Sequence, residues 1–97
     1  MATPTFDATV YKQTTREQWQ DAAEAWHRWD PTFEDWLGPA TERMLDLTEV
    51  GEGTRVLDVA AGSGGQTLAA AHRGATVLAT DISEAILAYA AAEARRT

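Results

Sequence analysis

Cysteine is absent from all 97 residues, which excludes disulfides, thiolate metal sites and a cysteine nucleophile together. No apolar run approaches the ~18 residues that a membrane span needs. The N-terminus, MATPTFDATVYKQTTREQ, lacks the basic and apolar regions of a secretory signal. Basic residues are scarce: eight Lys and Arg stand against fifteen Asp and Glu, a net charge of −7. A phosphate backbone calls for a basic patch, so nucleic acid is not an expected partner, and neither is a membrane. Histidine occurs only at 27 and 72. No Ser-His-Asp arrangement, paired-carboxylate site or metal-ligand spacing emerges. These absences lead to the expectation of a small cytoplasmic domain.

What is present is ordinary in amount and uneven in place. A hydrophobic share of 44% argues against disorder. Residues 1–53 hold eleven Asp or Glu against four Lys or Arg, whereas residues 54–97 hold four of each. The acidity therefore belongs to the N-terminal half, where solvated helix faces are its simplest reading. Residues 1–13 read as a loose tail. Thr14 with Glu17 and Thr15 with Gln18 offer overlapping capping boxes, which predict a helix starting there. Trp19, Ala22, Ala23, Trp26 and Trp29 form one apolar stripe at helical spacing. Pro31 is expected to end that helix, with Asp30 capping a short second one that stops near Gly38. A third helix is expected after Pro39, with Ala40, Met44, Leu47 and Val50 on its apolar face.

Gly51-Glu52-Gly53 marks a change of architecture. Arg55 to Ala60 reads as a strand covered on both faces, and Thr76 to Thr80 as a second. A helix from Gln66 to His72 closes at Gly74, and Ser83 caps another from Glu84 to Arg96. The order β-α-β-α from Thr54 onward implies an α/β fold with parallel strands. Residues 1–53 are then an N-terminal tail and helical cap, and residues 54–97 the start of a ligand-binding domain.

The chemistry concentrates in VLDVAAGSGGQT, residues 56–67, and VLATDIS, residues 77–83. Small residues at the carboxyl end of a buried strand let a ligand approach the backbone, beside the free N–H groups of the next helix. Asp81 ends the second strand, where doubly wound folds place an acid for the ribose hydroxyls of a nucleoside. A dinucleotide fingerprint carries a third glycine for close helix packing; here that position is Thr67. Asp58 adds a carboxylate close to where a pyrophosphate would lie and would repel it. A positively charged, phosphate-free nucleoside is the better electrostatic match, and an NAD-dependent dehydrogenase the poorer one.

Asp-Val-Ala-Ala-Gly-Ser-Gly resembles the glycine-rich motif of class I S-adenosylmethionine-dependent methyltransferases, and Ala-Thr-Asp-Ile-Ser the acidic motif that follows it. The nearest flavour is the small-molecule group that includes quinone-biosynthesis methyltransferases. The resemblance covers about residues 54–97 and, more loosely, the helical lead-in. It implies a Rossmann-like fold and S-adenosylmethionine as cofactor. It also implies that Asp58 orients the methionine amino group and that Gly62, Ser63 and Gly64 line the methionine and ribose. Asp81 would take the ribose hydroxyls, and Ile82 would lie on the adenine. Ala60 stands where many members carry a glycine; at a strand end it is expected to need no positive φ. The expected function is methyl transfer to a small-molecule acceptor.

The family's sheet is larger, so the chain is expected to be an N-terminal portion, inactive by itself. An open strand edge would then invite self-association. The alternative is a non-catalytic S-adenosylmethionine- or partner-binding module that needs another chain to complete the sheet. Trp19, Trp26, Trp29 and Trp36 are expected chiefly to pack, with a lid over the ligand as the competing reading. His27 and His72 are read as structural.

Overall fold

The computed structural model describes residues 4–97. Two long helices come first, α1 (Ala8–Arg28) and α2 (Asp30–Leu47). Then follow β1 (Arg55–Val59), α3 (Gly65–His72), β2 (Thr76–Thr80) and α4 (Glu84–Arg96). The strands pair in parallel, with Arg55 opposite Thr76 and Val59 opposite Thr80. The two short helices and the two strands follow the sequence reading almost to the residue. The result is an α/β fold.

The first half departs from its expectation. Helix α1 begins six residues before Thr14, so the tail expected over residues 1–13 is helical from Ala8; Met1 to Thr3 lie outside the described residues. Asp7, in extended conformation, accepts from the N–H groups of Thr9 and Val10 at 3.0 and 3.2 Å. Phe6 meets Tyr11 with ring centroids 5.5 Å apart, a hydrophobic staple across the cap. Thr14 and Thr15 therefore sit inside a helix that already has its start.

The expected break at Gly38-Pro39 is missing too. Asp30 opens α2 rather than capping it, and α2 runs through Pro39 to Leu47. An interior proline costs about 3 kcal/mol in a free helix. Tertiary contacts further along offset this cost. Leu45 is 3% exposed, and Glu42 and Asp46 hold Arg73 at 2.6 and 2.9 Å. Leu45, not Met44 or Leu47, is the buried residue, because α2 turns that flank toward α3.

The buried apolar set is small in both senses: Ala23, Leu45, Ala61, Ala70, Ile86 and Ala90. Ala23 lies on α1 and Ile86 and Ala90 on α4, so these helices approach closely through small side chains. Gly64, with φ at 102°, allows the same closeness to α4: a Cβ there would lie 2.9 Å from the Cβ of Ala90. The sheet is covered on one face only. Leu57, Val59 and Leu78 are 63 to 72% exposed, which corrects the reading of strands covered on both faces.

Candidate functional site

At the carboxyl end of β1 the chain turns sharply. Ala60 has φ 59°, so the expectation that an alanine here needs no positive φ is wrong. The turn follows directly on the last paired strand residue, and an alanine in the left-handed region costs roughly 1–2 kcal/mol. The strained turn is held from β2: Ala61 N–H donates to the Thr80 carbonyl at 2.8 Å. Next, Gly62 N–H donates to Asp81 Oδ2 at 2.9 Å, and Ser83 N–H donates to Asp81 Oδ1 at 2.9 Å. The Asp81 carboxylate thus ties the glycine turn of one strand to the helix start after the other.

Helices α1 and α2 reach the same region through side chains. Gln20 Oε1 accepts from the Ser83 hydroxyl and from Ala85 N–H, the latter at 2.8 Å. Ser83 is fully buried and in turn accepts from Ile86 N–H at 3.1 Å. Ser63 donates to Asp30 Oδ1 at 2.5 Å, fixing the turn to the start of α2. The other Asp30 oxygen meets His27 Nδ1 at 3.1 Å, and the His27 ring stacks on Tyr89 with centroids 4.1 Å apart. The His27 ring thus links α1 to the start of α2 and to α4.

Above the strand ends lies a cleft of about 560 Å³, lined by Trp19, Trp26, Val59, Ala60, Gly62, Thr80, Asp81 and Ile82. Its single charged side chain is Asp81. Four of the seven residues expected to touch a ligand therefore border one cavity: Ala60, Gly62, Asp81 and Ile82. The other three stand behind it. Asp58 is on the covered face of β1, where Thr67 donates to its Oδ2 at 2.6 Å. Ser63 turns to α2, and Gly64 is buried against α4.

The tryptophans divide. Trp19 and Trp26 border the cleft, with ring centroids 5.7 Å apart, and Trp26 stacks on Phe33 at 4.9 Å. Trp29 and Trp36 are 55 and 74% exposed and lie outside this cleft. The spacing of 19 and 26, two helical turns apart, was the available signal. Gln20 had none, and the sequence marked Asp30 only as a helix cap and Thr67 only as the replacement of a third glycine, because the partner of each lies on another element. Among the described residues no cluster of three or more His, Asp or Glu could hold a metal ion. No helix there is long and apolar enough to cross a membrane.

Residues 56–97 match the family model described as a methyltransferase domain. The match supports a methyltransferase domain from β1 to α4. An uncharacterized protein of Mycobacterium tuberculosis is 43% identical over 61 residues, which are 63% of this chain and 22% of the relative. A second uncharacterized protein of that organism is 35% identical over 92 residues, 95% of this chain and 32% of the relative. An uncharacterized protein of Mycobacterium bovis shares the same values as the second. The chain thus spans about a third or less of these relatives. No solved structure matches.

Proposed function

We propose that the chain forms the S-adenosylmethionine-binding part of a methyltransferase acting on a small-molecule acceptor, on a Rossmann-like frame capped by α1 and α2. The observation that carries the reading is Asp81, standing at the rim of the cleft at the carboxyl end of β2. Its two oxygens each accept one backbone N–H. A carboxylate offers about four lone-pair sites, so capacity remains for the two hydroxyls of a ribose. The cleft's size falls within the roughly 300–1,000 Å³ of small-molecule sites. It carries no basic residue, which suits a cationic ligand better than a pyrophosphate. The indoles of Trp19 and Trp26 add aromatic faces that attract cations.

When bound, S-adenosylmethionine supplies a methyl group on a sulfonium that leaves as a neutral thioether. The protein's part is placement. Asp81 holds the ribose, Ile82 lies along the base, and the tryptophans keep water from the cleft. Alignment of this kind lowers a barrier by roughly 7–11 kcal/mol.

Calorimetry with S-adenosylhomocysteine tests the reading. Binding is expected, with a change in Trp19 and Trp26 fluorescence. Asp81→Ala should weaken it by about 2–4 kcal/mol, from two lost charge-assisted bonds. Unchanged affinity in that variant would remove the ribose role, and tighter binding of NADH would overturn the cofactor choice. The bare face of Leu57, Val59 and Leu78 favours a second reading, a non-catalytic module completed by another chain. That reading predicts nucleoside binding without methyl transfer in the whole protein.

A further inference from the structure

Thr67 occupies the place where a dinucleotide site would carry its helix-packing glycine. In this fold the close approach is made elsewhere, by Gly64 against Ala90. Position 67 is thereby free to carry a side chain. Its hydroxyl, in the first turn of α3, donates to Asp58 Oδ2 at 2.6 Å. That length belongs to a charge-assisted O–H···O⁻ bond. Thr80 adds a second tie at the same residue, donating from its hydroxyl to the Asp58 carbonyl at 3.0 Å. A β-branched threonine has few rotamers, so the hydroxyl is held in place as well as bonded. Asp58 is thus fixed at backbone and side chain by residues from both neighbouring elements, and among the described residues Oδ1 has no hydrogen-bond partner.

We propose that Thr67 is a positioning residue of the nucleoside site: it takes one oxygen of Asp58 and so presents the other to the ammonium group of the ligand's amino-acid part. The inference rests on the S-adenosylmethionine reading and deepens it. Asp58 lies behind the cleft lining rather than on it, so its contact with an ammonium runs through a water or past the glycine turn. A carboxylate free to rotate would not keep Oδ1 aimed in one direction. Thr67 prevents that rotation. The device also disfavours phosphates, since it keeps a fixed negative charge beside the turn.

Two ligands separate positioning from simple support. S-adenosylhomocysteine carries the ammonium, and 5′-methylthioadenosine is the same nucleoside thioether without the amino-acid part. Thr67→Val should weaken the first by about tenfold and leave the second unchanged. Thr67→Ser should restore wild-type affinity. Asp58→Asn, which keeps a partner for Thr67 but removes the charge, should show the same selective loss, and adding Thr67→Val to it should cost nothing further. Equal losses for both ligands, or none, in Thr67→Val overturn the assignment while the nucleoside reading stands. Should Thr67→Val not fold, undiminished selectivity in Asp58→Asn overturns it instead. A wild-type chain that binds neither ligand overturns the reading and the assignment together.

Discussion

Ala60 and Gly64 both adopt positive φ, 59° and 102°, yet they make opposite demands on a side chain. Ala60 borders the open cleft, so its methyl group strains the backbone without filling a tight space. Ala60→Gly should relieve roughly 1–2 kcal/mol of strain against about 0.5–1 kcal/mol of added chain entropy. The net expectation is a gain of about 0.5–1 kcal/mol, seen as a higher urea midpoint; a lower midpoint would show that the turn is not strained. Gly64 has no such room, with Ala90 at 2.9 Å from any Cβ. Gly64→Ala should cost about 2–4 kcal/mol from conformation and overpacking combined. The same unfolding experiment checks it, and a loss under 1 kcal/mol would mean that α4 moves aside readily.

Pairs of elements are tied by single side chains. Gln20 joins α1 to the start of α4, where it accepts from Ala85 N–H while Ser83 serves Ile86. Gln20→Ala should cost about 1–2 kcal/mol, the range of a lost helix cap. Amide exchange at Ala85 should accelerate well beyond that of mid-α4 residues. Uniform acceleration along the helix would point to global unfolding instead. Arg73 joins α3 to α2 through Glu42 and Asp46. The hydrogen bond with Glu42 raises the guanidinium pKa above its already high ordinary value. A raised pKa gives stability that is lost only as pH rises through it. That occurs far above neutrality, so this tie contributes no pH dependence in the physiological range.

Taken whole, the molecule is extended, 57 × 26 × 23 Å, with a radius of gyration of 16.0 Å. A compact domain of this length would have about 13 Å. The excess comes from two helices of 21 and 18 residues lying beside a sheet of two strands. One face of that sheet is bare, and both strands have an unpaired edge among the described residues. Such a surface favours pairing with another copy. Light scattering should therefore give a mass above that of one 10.5 kDa chain, rising with concentration. Leu57→Lys with Leu78→Lys should lower it. A monodisperse monomer across the micromolar range would show that the bare face is tolerated in water.

The elements after Gly51 were legible in the sequence because their signals are local. Short valine-containing apolar runs, a glycine turn and a serine cap each act within a few positions, and Asp81 follows its strand directly. The resemblance to methyltransferase motifs lies in this same stretch. The helices before it were misread where local rules competed: the capping boxes of Thr14 and Thr15 pointed to a start there, whereas Asp7 caps the helix with Phe6 against Tyr11, and Gly38-Pro39 pointed to a break that α2 runs through. Only the tertiary structure decided that Asp58 faces Thr67, that Ser63 reaches Asp30, and that two tryptophans of four border the cleft. Each of these depends on the direction in which one helix crosses another element. That direction is set by close packing of small side chains such as Ala23, Gly64 and Ala90, whose sequence pattern carries no information about which partner they will meet.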